Sequence, residues 1–247
     1  MNKLKNISVY LLLFTAVFFT SCSGDIEPYE GTIPNANPTD NTGGGGGGQS
    51  TGDYWPTAIN NQWIFSVNGT NQAPMKMVSL DNIGGNNYYT FNAQSGGGAT
   101  QVTRLRKSNG DYYIKSEDVV IAPQPGIPGS TSTGTERILL KDYLDVGGTW
   151  TYNYVQTTTY TDPQYPVISM NFNIVSTIVE KNTTLNVNGQ NYTNVIKVRV
   201  VQNVTNNGQT SVATSYYHFS KNVGPIKITT EYNGTTSNQD LASYNLY

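Results

Sequence analysis

The chain has 247 residues, 14 Lys and Arg against 16 Asp and Glu, a formal net charge of −2, one His and one Cys. Charged residues make up 12% where about a quarter is usual, and nothing offers the clustered Lys and Arg that a nucleic-acid backbone demands. A lone cysteine excludes an internal disulfide, and a single histidine excludes zinc sites built on two or three histidines.

Residues 1–22 carry the three parts of an export signal: Lys3 and Lys5 at a basic start, an apolar centre over residues 9–19, and the small residues Thr20 and Ser21 before Cys22. The centre spans 11 residues, whereas a helix crossing ~30 Å of hydrocarbon takes roughly 20. Phe19-Thr20-Ser21-Cys22 resembles the lipobox of bacterial lipoproteins, in which the cysteine is acylated and becomes the new N-terminus; Phe19 stands where Leu is usual. The resemblance implies lipidation at Cys22 and a membrane held as partner through covalent lipid. Each buried methylene contributes about 0.8 kcal/mol, so one acyl chain holds marginally and two or three hold durably. The bland alternative is a secretory signal with a stray cysteine.

Ser23, rather than Asp, after Cys22 resembles lipoproteins forwarded to the outer membrane. Asp25 and Glu27 resemble the acidic surface-export signal of some Gram-negative lipoproteins, although acidic tethers also serve solubility alone. The expected location is the outer membrane, lipid-anchored, with the domain on the periplasmic face or the cell surface. Loss of Lys3 and Lys5 with the signal takes the basic count from 14 to 12 against 16 acids, so the membrane link is the anchor and not a basic surface.

Residues 23–53 are dominated by Gly, Pro, Asn, Thr and acid, with six glycines at 43–48. Such a stretch cannot bury enough surface to offset its ordering entropy and reads as a disordered tether. As a flexible coil its thirty or so residues span roughly 30 Å root-mean-square. The glycines lack the following Lys-Ser/Thr of a phosphate cradle.

Residues 54–247 read as one all-β, mainly antiparallel domain with little helix outside the signal peptide. Asn60-Asn61-Gln62-Trp63-Ile64-Phe65 has a counterpart in Gly147-Gly148-Thr149-Trp150-Thr151-Tyr152, and in both the Trp and the aromatic two residues later face one side of a strand. Strand character follows at residues 75–80, 88–93, 100–106 and 111–115, with Asn109-Gly110 the strongest hairpin signal. Residues 122–134 read as a long loop, and 136–140 as strand. In residues 167–180 the alternation slips at Val175, which predicts a bulge there. Asn188-Gly189 leads to a strand at 195–201, and strands at 211–220, 226–232 and 241–247 complete the sheet, with Asn233-Gly234 a further turn. No window holds a period of 3.6 residues for more than two turns.

Tyr54-Trp55-Pro56 before a Trp-x-Phe strand, Val146-Gly147-Gly148-Thr149-Trp150, the strand Tyr192-Thr193-Asn194-Val195-Ile196-Lys197-Val198, and the stretch from Tyr216-Tyr217-His218-Phe219 through Val223-Gly224-Pro225-Ile226-Lys227 together resemble a family of uncharacterised Gram-negative outer-membrane lipoproteins. Asn60-Asn61 stands where Gly-Asn is usual in that family. The resemblance implies a single curled antiparallel sheet, an open half-barrel similar to the lipoprotein-carrier fold, and it brings no reaction with it.

The chemistry-bearing residues are few. His218 could serve a Ser-His-Asp triad, but no G-x-S-x-G or S-x-x-K accompanies it, and a hydrogen-bonded strand histidine is the expectation. Glu117-Asp118 point to opposite faces if the strand is regular, and Asp142 with Asp145 reads as a pair of solvated loop acids rather than a glycosidase pair. Asp81-Asn82-Ile83-Gly84-Gly85-Asn86 has one acid and no bidentate Glu, too little for calcium. Tyr88-Tyr89, Tyr112-Tyr113 and Tyr216-Tyr217 each place one ring on either face of a strand, for packing or for a ring platform.

The sequence therefore predicts a non-enzymatic envelope lipoprotein with lipidation at Cys22 and no catalytic, metal or cofactor residues. Its expected partner is a lipid or other hydrophobic ligand on the curved sheet. The alternative is a surface-exposed glycan- or protein-binding module, and the third reading is a hydrolase of unfamiliar type.

Overall fold

The computed structural model describes residues 48–96 and 99–247; Cys22, the signal segment and most of the tether lie outside them. Among the described residues there are only strands, turns and bends, and the strands join into one large antiparallel sheet that does not close into a barrel.

The sheet has two unlike halves. The first is a run of long strands, β12 (Thr149–Tyr160), β13 (Ile168–Val187), β14 (Gln190–Asn206), β15 (Gln209–Ser220), β16 (Gly224–Tyr232) and β17 (Thr235–Asn245), each paired with the next. Asn188-Gly189, Asn207-Gly208 and Asn233-Gly234 join them with positive φ at both residues, the geometry a two-residue type I′ hairpin requires. β17 pairs with β1 (Gln62–Val67), which carries the small β2 (Thr70–Asn71) and touches β3 (Met75–Ile83) at two residue pairs.

The second half is built from interrupted strands: β4 (Asn86–Phe91), β5 (Gln94–Gly96), β6 (Ala99–Gln101), β7 (Thr103–Ser108), β8 (Asp111–Ser116), β9 (Val119–Ile121), β10 (Ser130–Ser132) and β11 (Thr135–Lys141). The order β3-β4-β7-β8-β11 forms its main ladder, and β5-β6-β9-β10 continues beyond the interruptions. β10 lies within the stretch the sequence assigns to a long loop; it pairs with β9 on one side and β12 on the other, so only residues 122–129 form the loop.

The interruptions line up across the sheet. The Glu117 amide donates to the Val102 carbonyl at 3.1 Å, and the Gly134 amide donates to Asp118 Oδ1 at 2.8 Å. A Cβ on Gly134 would collide with the Ser116 carbonyl oxygen, so this break needs a residue without a side chain.

In the long-strand half, alternation puts Met170, Phe172, Ile174 and Ile178 inward and Asn171 and Asn173 outward. It holds past Val175, and the bulges fall between Ile178 and Leu185. The predicted slip at Val175 is thus corrected: Ser176 is polar yet buried at an inward position, so the apolar pattern breaks before the backbone does.

One core joins the halves. Trp55 packs edge-to-face on Trp63 at 6.3 Å and against Phe91 and Phe219 at 5.9 and 6.0 Å, contacts of about 1 kcal/mol each beyond their burial. The two matched strand starts behave alike: the Trp63 indole donates to the Val223 carbonyl at 2.7 Å and the Trp150 indole to the Ile138 carbonyl at 3.0 Å.

The last residues of the predicted tether lie on the domain. Ser50 Oγ donates to Asp142 Oδ2 at 2.6 Å, the Thr51 amide donates to Oδ1 at 3.0 Å, and Lys221 donates to the Thr51 carbonyl. Lys107 pairs with Asp53 at 3.0 Å. Residues 50–53 form a strap across the end of the β8–β11 pair.

Candidate functional site

Between β11 and β12 the ladder is missing. The two strands pair only through β10, where Ser130, Thr131 and Ser132 face Tyr160, Thr159 and Thr158; beyond Thr133 they splay. Side chains bridge the gap: Gln156 Nε2 donates to the Thr133 carbonyl at 3.2 Å, Thr135 Oγ1 and Tyr152 OH share a hydrogen bond of 3.0 Å, and Trp150 reaches Ile138.

A cavity of about 30 Å³ lies where the strand breaks meet this wedge, lined by residues of β6 to β9 and the segment 132–135 as well as by Arg137, Tyr154 and Gln156. Arg137 is 7% exposed and Gln156 5% exposed. No carboxylate among the described residues pairs with Arg137; Glu117, the acid of the wall, is committed to Arg104. Gln156 Nε2 donates one hydrogen bond to the Thr133 carbonyl, while Oε1 is buried without a donor. Burial pushes the Tyr154 phenol up to about 12, with the charge of Arg137 working against the rise. Phe172 stacks on Tyr154 at 4.4 Å and fixes it.

Chemically, this is an anion-seeking corner: a fixed cation, a free acceptor and hydroxyls in a space the size of a few atoms. Sequence reasoning missed both residues that define it. The available signal was parity, because Arg137 alternates with Leu139 and Gln156 with Tyr154, which puts each on an inward face.

The sequence-derived candidates fall elsewhere. Cys22 lies outside the described residues. His218 sits 7% exposed in a row that crosses five strands, Glu180, Lys197, His218, Lys227 and Asp240. Lys197 pairs with Glu180 at 2.8 Å and Lys227 with Asp240 at 2.6 Å. Burial, then the Lys197 charge, lowers the imidazole to about 4, which holds it neutral.

Asp142 is corrected from loop acid to buried clamp. At 0% exposure it anchors the strap, and its Oδ2 lies 3.2 Å from the hydroxyl of Tyr112, which accepts from the Tyr54 amide. Asp145 is exposed and its carbonyl accepts from the Gly148 amide in the turn, so the two acids do not act on one bond. Glu117 and Asp118 occupy a strand break, one on Arg104 and one on Gly134. Asp81 accepts from Thr90 Oγ1 at 2.5 Å and from Arg104.

The tyrosine pairs do split across the sheet. Tyr112 and Tyr217 are buried in the core, with Tyr113 and Tyr216 half-buried on the other face; in the first pair the half-buried Tyr89 packs on the core opposite Leu105, and the buried Tyr88 lies on the other face, where its hydroxyl donates to Glu136 beneath Arg106. Arg106 stands 3.6 Å from the ring centre of Tyr113 and Lys197 5.3 Å from that of Tyr216, so two of the outward rings are topped by cations.

No family model matches the chain, and no curated protein is similar to it. A solved structure of a candidate lipoprotein from Parabacteroides distasonis is similar at a TM-score of 0.48 and 11% identity, covering 80% of this chain and all of that one.

Proposed function

We propose that this chain is a non-enzymatic envelope lipoprotein, held to the outer membrane through acyl chains on Cys22, whose β domain binds glycan or protein at its surface. The observation that carries the anchoring is the sequence Phe19-Thr20-Ser21-Cys22 at the close of an export signal, with the folded part beginning some thirty residues later at the strap. The apolar centre of the signal is too short to be a permanent span.

The nature of the ligand is argued from the interior. A carrier of acyl chains needs an apolar hollow of at least ~300 Å³. Here the inward faces of both halves pack on one another around Trp55, Trp63, Phe91 and Phe219, and the seam cavity has a mixed lining and is about a tenth of that size. Both features favour a surface ligand over the lipid expected from the half-barrel resemblance. The outer face of the long strands supplies suitable groups: Asn153, Asn173 and Asn203 form a ladder across three strands, joined at 2.7 and 3.2 Å, with Thr205 and Thr210 bonded in the next row.

Metabolic labelling with an alkynyl palmitate tests the anchor. The parent protein is expected to take the label and Cys22→Ala to lose it; equal labelling of both would remove the proposal. Protease treatment of intact cells then separates the periplasmic from the exterior face. Native mass spectrometry of the Cys22→Ala protein is expected to show no co-purifying lipid, and a stoichiometric acyl ligand would restore the carrier reading.

A further inference from the structure

The geometry points to a carboxylate site in the seam between β11 and β12, in which Arg137 binds the carboxylate and Gln156 accepts a hydrogen bond from a hydroxyl on the neighbouring carbon. The class of ligand is a small α-hydroxy carboxylate, free or as the aldonic acid end of an oxidised sugar. The site lies apart from the outer grid of Asn and Thr and goes beyond the surface reading above.

Three observations converge. A guanidinium removed from water is costly unless an anion or a set of acceptors meets it, and buried charges are paired as a rule. Arg137 is buried with no carboxylate partner among the described residues, while six other Lys and Arg side chains there do hold ion pairs. Secondly, Gln156 Oε1 is aimed at no donor, and its orientation is fixed because the amide nitrogen is bound to the Thr133 carbonyl. A plain carboxylate would satisfy Arg137 and leave Oε1 empty; a hydroxyl beside the carboxylate satisfies both. Thirdly, the cavity of about 30 Å³ takes a head group and not a whole sugar, so the rest of the ligand projects along the seam.

The seam explains why such a site sits here. Along a ladder, backbone groups face one another and no space is left for a ligand. β11 and β12 are joined by side chains alone between Thr135 and Trp150, which keeps them apart without filling the wedge. The nearby negative charge of Glu117 is met by Arg104, so the field at the site is that of Arg137.

The test is thermal unfolding of the purified full-length protein at constant ionic strength with gluconate, lactate, acetate or glucose; gluconate and lactate each carry a hydroxyl on the carbon next to the carboxylate. At ten times its dissociation constant, gluconate is expected to raise Tm by about 4 °C. Lactate is expected to act in the same direction; a larger effect of gluconate assigns the sugar acid, and an equal effect the small free hydroxy acid. Glucose matching gluconate would overturn the carboxylate, and acetate matching it would overturn the part given to Gln156. Arg137→Gln is expected to weaken binding at least about tenfold, as loss of a charge-assisted bond does. Gln156→Glu places a carboxylate beside Arg137 and is expected to raise Tm without ligand and abolish the response. A lower Tm or a retained response in that variant overturns the site, as does the absence of any gluconate effect on the parent. Failure of the anchoring would appear in the palmitate labelling and leave these melting curves unchanged.

Discussion

The two halves of the sheet solve one problem differently. The long-strand half spends its sequence on uninterrupted pairing: twelve successive residue pairs link β14 to β15, and the tight turns put Asn and Gly where positive φ is needed. The interrupted half breaks each path at about the same level, at Val102, at Glu117 and Asp118, and at Thr133 and Gly134. Regular pairing yields a wall whose outer face is a grid of Asn and Thr. Aligned breaks yield the wedge whose cavity Arg137 and Gln156 both line.

Substitutions at glycines of the two halves should separate these behaviours. Gly134→Ala forces a side chain into the backbone of Ser116 at a break and is expected to cost about 3 kcal/mol in chemical denaturation. A cost near that of an open surface site would mean that the broken half relaxes freely.

A comparably large effect is expected from acid on the long-strand half. His218 titrates near 6.5 when unfolded and near 4 when folded, so the unfolded chain binds the proton first. Stability from this group is complete above pH 6.5 and is lost as pH falls, by about 3 kcal/mol at pH 4. His218→Gln should flatten that part of the pH profile, and an unchanged profile would place the acid sensitivity elsewhere.

Asp142→Ala should cost about 2 kcal/mol, since it strips partners from Ser50, Thr51 and Tyr112. Hydrogen exchange should then quicken at residues 50–53 before it does in β14. The smallest effect is expected at Gly189→Ala, about 1 kcal/mol, where the turn has open space and only the positive φ of 82° opposes a side chain.

What could be read from the sequence follows the same division. Asn109-Gly110, Asn188-Gly189 and Asn233-Gly234 name their own conformation, and the alternation from Ile168 to Ile178 names its own face, because both signals are local. β10 escaped because Ser130, Thr131 and Ser132 carry no apolar alternation; their strand exists only because β9 and β12 flank it. Asp142 was misread for a similar reason. Its partners Ser50 and Thr51 lie about ninety residues earlier, in a stretch whose composition argues against order. Arg137 and Gln156 come from neighbouring strands that splay instead of pairing, and no sequence pattern marks a ladder that fails to form.

The strap sets the mechanics of the domain. A pull on the chain at Ser50 is not received by a free end that peels away; it is shared at once among the Asp142 carboxylate, the Lys221 ammonium and the Asn222 amide, which donates to the Asp53 carbonyl at 2.6 Å. These partners stand at the ends of β11 and β15, so tension enters both halves of the sheet together. Two residues beyond Asp53, the indole of Trp55 carries it into the shared core. Drag on the domain would therefore be borne by the packing that unites the halves.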